Sequence, residues 1–284
     1  MGVLSSNRPR NNSRSGRRDR RGPRPKNAPA RQLAGVALPA EPYWIPGERA
    51  VTELLSGASS RVLRVFLRDG KQADAVEELA ERHQIPVTRY QREQLDNVID
   101  PALARGVLGL ARAPALLSCE DLVEAGKSNE RSLLLALDGV QDPQNLGALM
   151  RSAEFFGCDG MFWAKDRAAK LGPTVVRASA GASERVRLCS TVNLARALEI
   201  CKQEGYWVVG TVADADAPNL FEVIAKGLPE KLVVVMGSEE RGLRRLTRER
   251  CDFVATIPRK GAVASLNVAA AASVVLSAVA WRPE

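Results

Sequence analysis

The sequence contains only one histidine, His83, among 284 residues. A serine–histidine–acid triad or a multi-histidine metal site would have to be built around this residue, so the composition disfavours both. The five cysteines are odd in number and form no Cys-x-x-Cys pair, which disfavours a disulfide framework and a zinc site. We therefore expect reduced thiols, a cytoplasmic location and no bound metal.

Long hydrophobic runs are also scarce, and only Ala262–Trp281 approaches the length of a membrane span. Alanine and valine dominate this stretch, which also contains Ser265, Asn267, Ser273 and Ser277. These small and polar side chains favour a buried core helix over a membrane helix. We therefore expect the protein to have no membrane partner.

Acidic residues are almost absent from residues 1–40, which hold ten Lys or Arg and a single Asp. Residues 41–284 hold 31 basic and 32 acidic residues, so the net charge of +8 belongs to the first segment. Because this segment also has few large apolar side chains, we expect it to be disordered. We interpret it as an arm that neutralises RNA phosphates, with a solubilising tail as the alternative.

The pattern of residues 41–113 is typical of a small α/β domain. A connector with some helical character at Cys119–Ala125 follows over residues 114–131. The predicted strands of the small domain are Val62–Leu67, Pro86–Arg89 and Val107–Ala111, and its predicted helices are Ala50–Leu55, Ala73–His83 and Gln91–Val98.

Residues 132–284 form a longer alternation of strands and helices. Nearly continuous apolar strands with helical crossovers indicate a parallel sheet that is covered on both faces. Ligands of such sheets bind beyond the carboxyl ends of the strands. The predicted strands are Leu133–Leu137, Met161–Ala164, Tyr206–Val212, Leu232–Met236 and Phe253–Ile257, and the predicted helices are Leu146–Phe156, Asn193–Glu204 and Leu266–Val279.

The first segment that can carry chemistry is Asp138–Gly157, which follows a strand and continues as an amphipathic helix. Asn145 lies at the mouth of this helix, and Arg151 projects away from its apolar stripe. For a generic helix, a capping asparagine and a solvated arginine would explain both residues. This segment alone therefore does not define a site.

The second segment, Val233–Leu243, is a buried strand that ends at Gly237 and is followed by Glu239. A glycine at this position allows close backbone approach by a ligand. An ordinary strand-to-helix turn with surface acids is the alternative. Neither the P-loop pattern nor Gly-x-Gly-x-x-Gly is present, which disfavours a phosphate or dinucleotide cofactor.

The third segment, Ile257–Ala271, is a loop of small residues that opens an alanine-rich helix through Ser265 and Asn267. Free backbone N–H groups at such a helix start could receive a carboxylate or ring nitrogens. The alternative is an N-cap serine followed by an asparagine inside the helix.

Together, in this order and spacing, the three segments resemble the SpoU family of ribose methyltransferases, the TrmH branch of the SPOUT superfamily. The resemblance covers Leu133 to Ala280. It rests on the N-x-G-A-x-x-R-S-A of Asn145–Ala153, the G-S-E-x-x-G-L of Gly237–Leu243, the I-P…S-L-N-V of Ile257–Val268, and more weakly on Ala178–Glu184.

The small domain is similar to the L30e-like RNA-binding domain of some rRNA-modifying members. Ala104–Gly106 stands where those members often carry His-Gln-Gly. The resemblance thus implies a parallel-sheet SPOUT fold with a C-terminal trefoil knot, preceded by an L30e-like α/β domain and a disordered basic tail. The late position of the glycine-rich loops favours this knot over a Rossmann-type methyltransferase.

The resemblance further implies a homodimer that uses S-adenosyl-L-methionine to methylate a ribose 2′-hydroxyl of RNA. By motif position, Gly237, Ile257 and Leu266 would bind the adenosine part of this cofactor, with Thr211 as a weaker candidate. Arg151 would lie nearest the 2′-oxygen. Because guanidinium keeps its proton, we expect it to stabilise negative charge rather than act as a base.

The remaining catalytic candidates are Asn145, Glu239, Ser265 and Asn267, which would hold Arg151 and the ribose–phosphate in place. Ala269 stands where many relatives carry a serine. A guanosine of 23S rRNA is the expected target because of the additional domain. A tRNA ribose, an rRNA adenosine, or a non-catalytic role in RNA binding or ribosome assembly are the alternatives.

Overall fold

The computed structural model describes residues 32–95, 98–214 and 216–281. Residues 1–31, most of the segment for which disorder was predicted, lie outside this range. The prediction is wrong for the end of the segment, where β1 (Gln32–Leu33) and β2 (Val36–Ala37) form an antiparallel hairpin. The physical reason is Leu33, whose side chain is fully buried among apolar residues such as Trp44.

A four-stranded sheet follows the hairpin, with the order β3-β6-β4-β5. β4 and β5 are parallel, and the other two pairs are antiparallel. The strands are β3 (Tyr43–Pro46), β4 (Val62–Arg68), β5 (Val87–Tyr90) and β6 (Val107–Ala111), and the helices of this unit are α1 (Glu48–Ala58), α2 (Asp74–Arg82) and α3 (Pro101–Ala104).

Side chains along β4 alternate between two hydrophobic cores, as the twofold period of a strand requires. Val65 and Leu67 pack in one core with α1 and α2, whereas Phe66 packs in the core on the other face. The predicted helix Gln91–Val98 is wrong over its described part, because Arg92–Leu95 forms only a 3-10 turn, and residues 96 and 97 lie outside the described ranges. Leu95 is the only buried side chain of that turn, so the turn has no apolar face that would stabilise a longer helix.

The larger sheet has six parallel strands in the order β12-β10-β11-β7-β8-β9. Its strands are β7 (Ser132–Asp138), β8 (Gly160–Ala164), β9 (Leu188–Thr191), β10 (Trp207–Val212), β11 (Lys231–Gly237) and β12 (Phe253–Thr256). The helices that accompany them are α4 (Cys119–Ala125), α5 (Pro143–Phe155), α6 (Pro173–Ala178), α7 (Leu194–Gln203), α8 (Leu220–Ala225), α9 (Arg245–Arg250) and α10 (Val268–Ala280).

Helices cover both faces of this sheet, which confirms the predicted parallel α/β architecture. Along β7, Leu135 packs in a core with residues of α5, α8 and α10. Its neighbour Leu134 packs in a second core with residues of α4 and α7. The predicted connector 114–131 joins this second core through the buried side chains of α4 and through Leu117.

The predicted strands of the second half are confirmed to within one or two residues, whereas several short elements were missed. β9 and the helices α6, α8 and α9 were not predicted. They have four to six residues each, and Thr247 is the only buried residue of α9, so no apolar periodicity marks them. No helix in the described ranges is long and apolar enough to cross a membrane.

Candidate functional site

A cleft of about 1010 Å³ opens at the carboxyl ends of β10, β11 and β12. The loops that follow these three strands supply its walls. This is the edge of a parallel sheet at which ligands bind. Six of the nine site residues predicted from the sequence line the cleft, namely Thr211, Gly237, Glu239, Ile257, Ser265 and Leu266.

The end of β11 is shaped by a tight turn of the chain onto itself. A Cβ atom on Gly237 would lie 2.6 Å from the carbonyl oxygen of Gly242, closer than such atoms approach. The turn is closed by two backbone hydrogen bonds between Ser238 and Gly242, of 3.2 and 2.9 Å. Gly237 is therefore required by the packing of this turn as well as by its place in the cleft wall.

A buried acid that was not among the predicted site residues anchors the far end of the same loop. Asp138 ends β7 and is almost fully buried. Its carboxylate accepts the backbone N–H of Arg244 at 2.8 Å, and the Arg244 Nε lies 3.3 Å away. An acidic residue at the end of an apolar strand was the available signal, because a buried carboxylate requires partners.

Side chains from all three sequence motifs meet in one hydrogen-bonded network. The Asn145 amide donates to the carboxylate of Glu239 through a short contact. The Asn267 amide in turn donates to the side-chain carbonyl of Asn145 at 2.9 Å. Asn145 and Asn267 do not line the cleft themselves, but the network connects them to Glu239, which does.

The starts of α5 and α10 contradict the capping roles that were the alternative explanation of Asn145 and Ser265. Asp142, rather than Asn145, is the N-cap of α5 and accepts the Gln144 N–H at 2.9 Å. Asn267, rather than Ser265, is the N-cap of α10. An asparagine carbonyl satisfies helix N–H groups as well as a serine hydroxyl does, which explains how Asn267 takes this role.

The expectation that free N–H groups at the start of α10 receive a ligand is wrong for two of them. The N–H groups of Ala269 and Ala270 donate to the side-chain carbonyl of Asn267 at 2.9 and 3.4 Å. Ser265 lies before the helix, in the loop, and is exposed on the cleft wall. A ligand would therefore meet the loop backbone and the Ser265 side chain there.

Arg151 lies apart from this network. It is exposed on α5, does not line the cleft, and makes no hydrogen bond or ion pair with the residues that the structure describes. The adjacent Ser152 bonds to Ser273 of α10 at 2.8 Å. The Arg151 guanidinium can therefore contact an anionic group that approaches α5 from solvent.

The cleft wall combines exposed apolar side chains with charges. Leu266 is 52% exposed and Val263 is 76% exposed, so both offer apolar surface to a ligand. The Thr211 hydroxyl donates to the Val235 carbonyl at 2.8 Å, which leaves it without a proton to donate to a ligand. Arg248 lies 3.7 Å from Asp214 on the same wall. Such a lining fits a small ligand with an apolar ring and a charged tail.

The part of the chain that is described contains no candidate metal site. Among residues 32–95, 98–214 and 216–281, no three His, Cys, Asp or Glu side chains are grouped so that they could hold a metal ion.

The parallel sheet and its carboxyl-edge cleft define an α/β protein whose candidate ligand site is walled by loops, and its sequence carries no P-loop pattern. Residues 132–277 match the SpoU rRNA Methylase family. The chain is also 41% identical over 235 residues to the 23S rRNA (guanosine-2′-O-)-methyltransferase RlmB of Pseudomonas aeruginosa, covering 81% of this chain and 92% of the relative. It belongs to the SpoU rRNA Methylase family, which confirms the resemblance found in the sequence.

Other relatives and solved structures agree with this assignment. The RlmB of Escherichia coli K12 is 37% identical over 235 residues, covering 82% of this chain and 95% of the relative. The SpoU methyltransferase AviRb of Streptomyces viridochromogenes, solved with AdoMet, has a TM-score of 0.70 at 22% identity and covers 85% of this chain and 90% of its own. At this identity the likeness establishes the fold.

Proposed function

We propose that the protein transfers the methyl group of S-adenosyl-L-methionine to the ribose 2′-hydroxyl of a guanosine in 23S rRNA, in the cytoplasm. The observation that carries the proposal is the network of Asn145, Glu239 and Asn267, which joins the three family motifs beside the cleft. The relatives that are named for this reaction are matched over more than nine tenths of their length.

The cofactor would lie in the cleft, with its adenosine part against the backbone at Gly237, Ile257 and Leu266. The exposed apolar side chain of Leu266 provides a surface for the adenine ring. Thr211 would contribute through contact rather than through its hydroxyl proton, which the Val235 carbonyl accepts. When bound, the cofactor supplies an activated methyl group on a sulfonium.

The protein's own contribution to the reaction is positioning and electrostatic stabilisation. The 2′-hydroxyl would release its proton to water as it receives the methyl group, so negative charge would develop on its oxygen, and the sulfonium sulfur would leave as a neutral thioether. The guanidinium of Arg151, which has no hydrogen-bond or ion-pair partner among the described residues, would stabilise that charge without accepting a proton. Asn145, Asn267 and Ser265 would orient the ribose–phosphate, with Glu239 fixing the Asn145 amide. Ala269 provides no hydroxyl, so orientation proceeds without the serine found in many relatives.

A trefoil knot is part of the proposal. Helix α8 carries the chain from β10 to β11 and packs on α10 and β12. Helix α10 follows β12, at the sheet edge, yet packs on β11 and α5. This arrangement supports a chain that passes through the β10–β11 connection after Thr256. An experimental structure traced through residues 213–281 tests it.

The domain organisation is proposed as a small RNA-binding domain over residues 41–113, a connector over 114–131 and the methyltransferase domain over 132–284. The four-stranded sheet, which ends at Ala111, and the six-stranded sheet, which begins at Ser132, support these limits. We assign the small domain to the L30e-like type. Binding of 23S rRNA fragments to the intact chain, with variants of residues in the small domain, tests its role.

A homodimer is proposed from the exposed aromatic side chains at the ends of α5 and α10. Phe155 is 77% exposed and Trp281 is 82% exposed. The two helices pack together. Light scattering of the intact chain tests this proposal, and we expect Trp281→Ser to shift the mass from two chains to one.

The activity test is transfer of labelled methyl groups from S-adenosylmethionine to unmodified 23S rRNA, 16S rRNA and tRNA fractions, followed by nuclease digestion and mass analysis. A 2′-O-methylguanosine in the 23S fraction supports the proposal. A methylated tRNA, or a methylated adenosine in rRNA, would show that the protein catalyses the same reaction on a different substrate. Absence of both transfer and cofactor binding would favour a non-catalytic RNA-binding role.

A further inference from the structure

A short segment, residues 171–185, lies between the four-stranded and the six-stranded sheets. We call it the bridging segment; it contains α6 and the 3-10 turn Ala182–Glu184. Leu171 packs against the cores of both sheets. Val176 of α6 is fully buried in the core of the four-stranded sheet. The bridging segment therefore lies within the sequence of the larger unit, but its side chains pack against the cores of both sheets.

The opposite side of the bridging segment packs directly on α5, the helix that carries Asn145 and Arg151. A Cβ atom on Gly147 of α5 would lie 2.6 Å from the Val175 carbonyl oxygen. Only glycine permits this approach, so the two helices are in backbone contact. A displacement of the bridging segment would therefore be transmitted to the start of α5.

A buried carboxylate fixes the bridging segment to the four-stranded sheet. The Glu184 side chain is only 1% exposed. It accepts hydrogen bonds from the Arg61 guanidinium at 2.7 Å, from the Tyr43 hydroxyl at 3.2 Å and from the Ser183 hydroxyl at 3.1 Å. Breaking such a set leaves a charge buried without its partner, so it strongly favours one relative arrangement of the two sheets.

The contacts of Glu184 reach the ends of three strands of the small sheet, two through its direct partners Tyr43 and Arg61 and the third through Arg61. Tyr43 begins β3 and Arg61 precedes β4. The remaining donors of Arg61, Nε and Nη2, bind the carbonyl of Arg112 at 3.2 and 2.9 Å, immediately after β6. Burial and the nearby carboxylate raise the pKa of Tyr43, so the phenol keeps its proton and donates. One carboxylate thus connects to the ends of three strands.

A second and weaker connection lies beside the first. Arg185 Nε donates to Glu53 of α1 at 2.9 Å, and its Nη1 lies 3.9 Å from Glu154 of α5. The Arg185 side chain is more than half exposed, and ion pairs in such positions contribute little to stability. Glu184 is therefore the stronger of the two polar connections that fix the arrangement of the two sheets.

We propose that Glu184 is a positioning residue for methyl transfer. By fixing the four-stranded unit against α5, it holds RNA bound to that unit so that the target ribose lies at Arg151. This inference rests on the proposed function, but the geometric part of it is independent of the reaction.

Glu184→Gln tests the proposal, with Glu78→Gln as the matched control. Glu78 also pairs with an arginine, Arg82 at 3.0 Å, but on the exposed surface of α2. Because orientation and not binding is lost, we expect Glu184→Gln to lower kcat on 23S rRNA by about tenfold or more. The KM for RNA and the Kd for S-adenosylmethionine should stay within about twofold, and the radius of gyration from X-ray scattering should increase. The control should change none of these.

Three results would overturn the proposal: an unchanged radius of gyration, an increased radius with unchanged kcat, or a raised KM for RNA with unchanged kcat. Tyr43→Phe removes only one of the hydrogen bonds to Glu184. This variant replaces Glu184→Gln in the test if Glu184→Gln does not fold. It should lower kcat by a smaller factor, and an unchanged kcat in that variant would contradict the role. If the wild-type chain methylates no RNA, the proposed function fails, and scattering alone decides whether Glu184 fixes the unit.

Discussion

The side-chain amide of Asn267 donates to the side-chain carbonyl of Asn145 at 2.9 Å, although 122 residues separate them in the sequence. Asn267 simultaneously caps α10 through its carbonyl, and Asn145 lies in the first turn of α5. A single residue therefore starts one helix and orients a side chain of another. This double role makes its two functions separable by mutation.

Asn267→Asp and Asn267→Ala separate the cap from the contact with Asn145. Aspartate keeps the capping oxygen and loses the donor, so we expect near-wild-type thermal stability with methyl transfer reduced by roughly tenfold, the scale of one oriented polar contact. Alanine loses both, and the free energy of unfolding should fall by about 1 kcal/mol as well. Thermal denaturation and steady-state kinetics measure the two effects. Equal stability losses in both variants would contradict the separation.

Arg151→Ala should remove activity and leave the fold intact. Arg151 makes no hydrogen bond or ion pair with the described residues, so its loss breaks no native contact of that kind. If it stabilises the developing negative charge, kcat should fall by about 100-fold or more. Cofactor binding by calorimetry and the melting temperature should remain near wild type. Robust turnover by the variant would refute the assigned role.

Gly237→Ala should damage the cleft. The added methyl group would overlap the carbonyl of Gly242, so the turn after β11 must move. Overpacking of this kind destabilises by about 1–3 kcal/mol, and we expect the affinity for S-adenosylmethionine to fall by roughly tenfold or more. Gly57→Ala is the control, because nothing lies within 4 Å of the new methyl group on α1. Wild-type affinity in Gly237→Ala would show that the turn tolerates displacement.

Deletion of residues 1–31 should weaken RNA binding in a salt-dependent manner. All ten basic residues of the N-terminal segment lie in this range, whereas the hairpin with the buried Leu33 is retained. Phosphate neutralisation predicts a smaller slope of log affinity against log salt in the shortened chain. Binding of rRNA fragments at several salt concentrations provides the measurement. An identical slope would show that the segment only affects solubility.

The apolar strands of the larger sheet were predictable because burial on both faces leaves a continuous hydrophobic run in the sequence. The run at Leu133–Leu137 and the helix pattern after Asn145 both correspond to elements of the structure. Elements that bury little were not predictable in this way. Helix α9 buries only Thr247. The strand β3 was missed for a different reason, because its four buried residues are too few to form a recognisable apolar run.

Local periodicity and motif order were enough to identify the family, the parallel sheet and six residues that line the cleft. Which side chains contact one another became apparent only in the folded protein. Asn267 is the helix cap instead of Ser265, Asp138 anchors the loop at Arg244, and Glu184 joins the two sheets. Such contacts link residues that are far apart in sequence. They form because a buried polar group requires a hydrogen-bond partner, and neither its burial nor its partner can be read from the neighbouring residues in the sequence.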